Sequence, residues 1–232
     1  MSHDDMTTLL LWDIDGTLLT TGRAGIFAWE AAASELAGEV VDLQELSTAG
    51  LTDFTIGRAI LGRLGLPADD ALLARIVRSY EERLPAVLPL RPGRVLTGVR
   101  EVLQFVSEER SDIGLHLLTG NTPTGARAKL MHYGLFDFFE GGAFATATGD
   151  RTEIARRALA GATNGRSVSL ERVFVIGDTP HDVRCGRAIG ARTVAVASGD
   201  YSVDMLQEHG PWRTIEGIPS VETFLAMLED GN

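Results

Sequence analysis

Asp13 and Asp15 close the apolar run LLLWDID that begins at Leu9, and Gly16 follows them at once. Residues two apart in a strand project to the same face, so both carboxylates leave the run on one side. Another apolar run, RVFVIGD from Arg172, ends in Asp178, with Asp182 close behind it in GDTPHD. At an effective dielectric of ~20, a like-charged pair ~4 Å apart costs about 4 kcal/mol. Gathered carboxylates therefore need a divalent cation or a shared proton. Hard oxygen donors with no His or Cys partner suit Mg²⁺, which binds through one or two carboxylates, water and a substrate phosphate.

The stretch LLTGNTPTG from Leu117 ends a third apolar run and opens a helix. The Thr119 hydroxyl, the N–H groups around Gly120 and the Asn121 amide can hold a phosphate there, because a helix start attracts anions. Gly120 and Gly125 have P-loop spacing, but Ala126 and Arg127 stand where Lys and Ser or Thr are required, so a Walker A loop is excluded. No GxGxxG follows any strand. Around Asp178, Thr179 can cap the next helix, Pro180 suits its first turn and Asp182 holds the capping-box position. Capping thus accounts for Thr179 and Pro180 and leaves Asp178 to face a metal. Asp182 divides evenly between a cap and a carboxylate supporting the metal ligands. The five histidines show no metal-ligand spacing and read as solvated or structural. Cys185, inside a helical pattern, reads as a small buried residue rather than a nucleophile.

A doubly wound α/β fold is needed to bring these segments together. LLLWDID, IGLHLLTGN, RVFVIGD and ARTVAVASG are near-continuously apolar, as strands of a parallel sheet covered on both faces must be. Helical patterns at 98–107, 124–133, 152–160 and 180–189 alternate with them, which predicts a Rossmann-like parallel sheet with helices on both faces. Polar punctuation then falls at the carboxyl ends of the strands, where open α/β sheets bind ligands. From Gly22 to about Leu90 the rhythm breaks into helical patterns without a buried strand, and PLRPG reads as a hinge. The expected organisation is a core of 1–20 and 91–232 carrying an all-helical cap at 21–90.

At 232 residues and 44% hydrophobic, the chain can bury a sizeable core without staples. Its single cysteine permits no intrachain disulfide and fits a reducing compartment, so the cytoplasm is the expected location. The acidic start MSHDDM with its short apolar sequel is no signal peptide, and no stretch reaches membrane-spanning length. A net charge of −11 argues against nucleic acid as a partner. An anionic substrate would need local help from a metal, an isolated arginine or backbone N–H groups. Lys129 is the only lysine, a bias read as codon usage.

With these residues assembled, the chain resembles the haloacid dehalogenase-like (HAD) superfamily over nearly its whole length. The resemblance is to the phosphoglycolate phosphatase and β-phosphoglucomutase branch, whose helical cap follows the first strand. DIDGTL matches the DxDGT signature, LLTGN the second motif with its hydroxyl at Thr119, and GDTPHD the GDxxxD acidic motif. The resemblance implies that Asp13 attacks phosphorus to form an aspartyl-phosphate. Asp15 would protonate the leaving alkoxide and then deprotonate the attacking water, so it has to begin protonated, as crowding by like charge favours. Mg²⁺ would be held by Asp13, Asp178 and the backbone carbonyl of Asp15. The family's third motif carries a lysine, sometimes an arginine, that stabilises nucleophile and phosphate. No lysine precedes RVFVIGD; Arg151, in ATGDRTEIARRAL, takes the matching place and can contact phosphate bidentately. Lys129 is the fallback, although its mid-helix position reads equally well as a solvated face.

The function so implied is Mg²⁺-dependent hydrolysis of a small phosphomonoester resembling phosphoglycolate or a sugar phosphate. Asp15 favours phosphate esters over dehalogenation, because an alkoxide needs a proton and a halide does not. The absence of lysine from 21–90 excludes a cap-borne Schiff base. A phosphosugar mutase is the alternative, since it uses the same core and differs in how the cap excludes water. A non-catalytic module binding phospho-ligands ranks behind both, because Asp13, Asp15 and Asp178 are all present. The resembling phosphatases read the non-phosphate part of the substrate with the cap segment AGLTDFTIGR, here Thr52, Asp53 and Arg58. Helix capping explains Thr52 or Asp53 equally well. A closing cap leaves little room for polymers, so the expected partner is a small phosphorylated metabolite.

Overall fold

Thr8–Trp12 (β1) is buried at every residue, as a strand covered on both faces must be. In the computed structural model, which describes residues 7–165 and 167–230, β2 (Leu19–Thr20) follows, then helices α1 (Ala24–Ala37), α2 (Asp53–Arg63) and α3 (Asp70–Val87). The acidic MSHDDM start lies outside the described residues. After β3 (Arg94–Val95), strands and helices alternate: α4 (Val99–Glu109), β4 (Ile113–Leu118), α5 (Pro123–His132), β5 (Gly141–Ala143) and α6 (Arg151–Thr163). The chain ends with β6 (Val173–Gly177), α7 (Pro180–Ala188), β7 (Arg192–Val196), α8 (Val203–Gln207), β8 (Arg213–Ile215) and α9 (Val221–Glu229).

The main sheet has the order β5-β4-β1-β6-β7-β8, with every pairing parallel. β1 is central, Leu10 lying between Leu115 and Phe174. Its alternate side chains serve opposite layers. Leu10 and Trp12 pack with Val102, Leu103, Leu130 and Phe224 of α4, α5 and α9. Leu9 and Leu11 pack with Ile154, Ala155 and Cys185 of α6 and α7. This is the doubly wound, Rossmann-like sheet that the alternation predicts. Its two edge strands, β5 and β8, have three residues each and carry too short a pattern to be read.

Between β2 and β3, which pair antiparallel as a separate ribbon, α1, α2 and α3 build their own apolar cluster around Trp29, Ile60, Leu73, Tyr80 and Leu84. Trp29 and Tyr80 stack with ring centroids 4.1 Å apart and planes 2° from parallel. Among the described residues, no helix is long and apolar enough to cross a membrane.

Candidate active site

β4, β1 and β6 lie side by side and parallel, so their carboxyl ends open on one rim. The Asp13 N–H donates to the Ile176 carbonyl at 2.9 Å, extending the β1–β6 ladder one residue beyond β1. That register brings carboxylate oxygens of Asp13, Asp178 and Asp182 within 4.8 Å of one another. The chain then turns sharply, with Thr17 and Leu18 donating to the Ile14 carbonyl, and the Thr17 hydroxyl donates to Asp178 Oδ1 at 3.0 Å. Gly16 has φ +82°, and a Cβ there would lie 2.2 Å from Asp178 Oδ2. A Cβ on Gly199 would come within 2.0 Å of the same oxygen. Ser198 fastens that last loop by donating to the Gly16 carbonyl at 2.6 Å. Thr17, Ser198 and Gly199 were not read from sequence as site residues; the polar break ASG after the fourth apolar run was the available signal.

Burial pushes the Asp13 carboxyl up to about 7, with Asp182 and Asp15 adding to the rise and Arg151 and the Ile14 N–H opposing it. Asp178 is likewise raised, by burial first and then by Asp182 and Asp13, against the Thr17 hydrogen bond. Arg151 stands among them: its Nη2 donates to Asp182 Oδ1 and lies 3.6 Å from Asp13 Oδ2. Burial works against its charge, but Asp182 and Asp13 outweigh that and hold it protonated. One guanidinium against three buried carboxylates leaves an excess of negative charge surrounded by oxygen donors. That donor set fits a hard divalent cation.

Asp182 takes the capping role and also binds Arg151. Its Oδ2 accepts the Thr179 N–H at 3.1 Å and the Thr179 hydroxyl at 2.6 Å, capping α7, while Oδ1 takes Arg151. Cys185 is buried, donates to the Arg151 carbonyl at 3.2 Å and has its thiol pushed up to about 11 by burial, which makes it inert as a nucleophile.

Asp15 leads to a second cation. Lys129 Nζ donates to Asp15 Oδ2 and to Asn121 Oδ1, both at 2.6 Å, and Asn121 Nδ2 donates to Asp15 Oδ2 at 2.8 Å. The Lys129 side chain is only 6% exposed, so the solvated-face reading of it does not hold. The last turn of α5 points it inward to the end of β1, and a buried ammonium requires a counter-charge. Thr119 is fully buried, its hydroxyl accepting Asn121 Nδ2 at 2.8 Å. Gly120 and Asn121 reach the cleft wall; Thr119 stands behind them.

The cleft itself, about 610 Å³, lies between the inserted helices and this rim. Of the three insert residues singled out from sequence, only Asp53 lines it. Its carboxylate accepts the Thr122 N–H at 2.7 Å, and its own N–H donates to the Gly120 carbonyl at 2.8 Å, clasping insert to core. Thr52 is spent capping α2, accepting the Thr55 N–H at 3.1 Å, and Arg58 donates to the Ala147 carbonyl away from the cleft. Sequence reasoning passed over the segment from Gln44 to Thr48, which with Ala49, Gly50 and Leu51 forms much of the wall. Arg23, in a left-handed conformation at φ 69°, secures it by donating to the Gln44 carbonyl at 2.6 Å.

A parallel sheet that gathers buried aspartates from β1 and the β6–α7 turn beneath a helical insert defines a class. The family model for haloacid dehalogenase-like hydrolases matches residues 10–187, and the chain belongs to that family. A protein named probable phosphatase IndB, from Dickeya dadantii (strain 3937), is 26% identical over 89% of this chain and 88% of its own. A phosphoglycolate phosphatase from Thiobacillus denitrificans is 27% identical, covering 81% and 82%. CbbY from Rhodobacter sphaeroides, solved in complex with phosphate, superposes with a TM-score of 0.73 at 19% identity over 97% of this chain and 100% of that one, which bears on fold alone.

Proposed function

We propose that this phosphatase hydrolyses a small phosphomonoester through an aspartyl-phosphate on Asp13. The observation that carries the reading is the side-by-side placement of Asp13, buried against Arg151, and Asp15, on the wall of the same cleft. In the first step a carboxylate oxygen of Asp13 attacks phosphorus, the P–O bond to the alcohol breaks, and Asp15 gives its proton to the departing oxygen. In the second, Asp15 takes a proton from water as that water attacks phosphorus, releasing inorganic phosphate and restoring Asp13. Asp13, Asp178 and the backbone carbonyl of Asp15 are the groups proposed to hold Mg²⁺, whose positive charge would shield the anionic nucleophile from an anionic ester. Arg151 supplies fixed positive charge beside Asp13, and the Gly120 N–H on the cleft wall offers a donor to phosphate oxygens, the Asn121 amide protons being committed to Asp15 and Thr119.

We take 21–90 as a cap unit closing over 1–20 and 91–232. A cleft of about 610 Å³ under such a cap suits a small metabolite, of the size of phosphoglycolate or a sugar phosphate. The test is release of inorganic phosphate from a panel of phosphorylated metabolites with Mg²⁺. Asp13→Asn is expected to lower turnover by at least about 1,000-fold. Retained turnover in that variant refutes nucleophilic catalysis at Asp13, and an isomerised sugar phosphate in place of inorganic phosphate replaces the hydrolase with a mutase.

A further inference from the structure

The site holds two buried cations, and the reading above uses one of them. Arg151 belongs with Asp13 and Asp182; Lys129 makes both of its side-chain contacts elsewhere, to Asp15 and Asn121. Resting on the acid/base role given to Asp15, we propose that Lys129 is a positioning residue, which with Asn121 presents one chosen oxygen of Asp15 to the leaving group.

The argument is one of donors and acceptors. Lys129 Nζ and Asn121 Nδ2 both donate to Asp15 Oδ2, at 2.6 and 2.8 Å. An ammonium has three protons and no lone pair, so an oxygen facing it can only accept. Whenever Asp15 is protonated, the proton therefore resides on Oδ1, and the carbonyl-type oxygen of the neutral acid accepts the same two bonds that the carboxylate accepts. One cradle thus serves both steps: Oδ1 releases its proton to the ester oxygen as the P–O bond breaks, and takes one back from water afterwards.

Lys129 also settles the orientation of Asn121. Asn121 Oδ1 faces Nζ at 2.6 Å and must be the amide oxygen, because two donors cannot bond each other. That leaves Nδ2 to bridge Asp15 Oδ2 and the Thr119 hydroxyl, 2.8 Å from each. Without Nζ a neutral Asp15 could carry its proton on Oδ2 and donate to a flipped Asn121 amide, so the choice of oxygen is lost. The carboxyl of Asp15, whose side chain is 42% exposed, would then be free to rotate toward solvent. The placement has a structural cause. Lys129 lies in the last turn of α5, and its buried side chain reaches back toward Asn121, just before the start of that helix, on the cleft wall.

A group that positions the proton donor matters in proportion to how much the leaving group needs a proton. The experiment compares kcat/KM of wild type and Lys129→Met, with Mg²⁺, for dinitrophenyl, para-nitrophenyl and phenyl phosphate, whose leaving phenoxides need progressively more help. kcat/KM covers events up to the first irreversible step, here departure of the leaving group, and is not obscured by later hydrolysis of the aspartyl-phosphate. The expected result is a loss of about 100-fold with phenyl phosphate, of the order general-acid catalysis contributes, shrinking to within about threefold with dinitrophenyl phosphate. The ratio between substrates, measured on one preparation, does not depend on the fraction of Lys129→Met that is folded. An equal loss across the series, as a phosphate-binding or purely structural role would give, overturns the proposal, and so does no loss at all. Those failures leave the phosphatase reading intact if wild type is active and Asp13→Asn is not; an inactive wild type overturns both.

Discussion

Asp53 offers a sharp test of what the cleft does to a charge. It is 4% exposed, and burial pushes its carboxyl from 3.8 up to about 6, Asp15 and Glu81 adding to the rise while Lys129 and the Thr122 N–H oppose it. The folded protein therefore holds the Asp53 proton more tightly than the unfolded chain does. The stability that this tighter binding contributes is complete below the unfolded value and is lost as pH rises through about 6. At about 1.4 kcal/mol per tenfold change in proton affinity, keeping Asp53 ionised at pH 7 costs the fold about 3 kcal/mol, already net of the help from Lys129. By the same linkage the cost falls to about 1 kcal/mol at pH 4.5. Asn keeps the shape and the acceptor for the Thr122 N–H while removing the charge. Asp53→Asn should therefore be more stable than wild type by up to about 3 kcal/mol at pH 7 and by about 1 kcal/mol at pH 4.5. Urea unfolding followed by tryptophan fluorescence at the two pH values measures this directly, since Trp29 lies in the same inserted unit. A variant less stable than wild type at pH 7, or an effect equal at both pH values, refutes the reasoning.

Two predictions concern the acidic cluster. Mg²⁺ should raise the melting temperature by mass action, adding about 2.7 kcal/mol of stability at a hundredfold excess over its Kd, and Asp178→Asn should abolish the gain; thermal denaturation with and without chelator decides, and an unshifted wild type refutes the site. Gly199→Ala places a methyl where the Asp178 carboxylate lies, so the Mg²⁺ concentration for half-maximal activity should rise about tenfold, whereas an unchanged requirement shows that the loop after β7 does not constrain Asp178.

The carboxylates of the candidate site were legible before the fold because they sit in local patterns. An apolar run ending in Asp-x-Asp-Gly announces both the buried strand and the carboxylates at its end, and the punctuation after β4 and β6 repeats the message. Periodicity also separated the inserted helices from the sheet, since α1, α2 and α3 carry no buried strand among them. Strands as short as β5 and β8 escape this reading, because three residues hold too little pattern.

Which side chains meet across the chain is a different matter, and periodicity carries no trace of it. Lys129 read from sequence equally as a fallback for the third-motif cation and as a solvated helix face, until the docking of α5 placed its ammonium 2.6 Å from a carboxylate 114 positions earlier. Arg58 and Thr52 sit in the same stretch as Asp53, yet rotation about the α2 axis turns one toward Ala147 and spends the other as a cap, leaving Asp53 alone on the cleft wall. Gly199 shows nothing in sequence beyond a turn, and its need to lack a side chain arises only because Asp178 arrives from another strand. Residue types and their spacing along each strand settle which groups are available and what chemistry they can do. Packing angles and sheet register, set by the whole core at once, decide which of those groups share a proton, a charge or a wall.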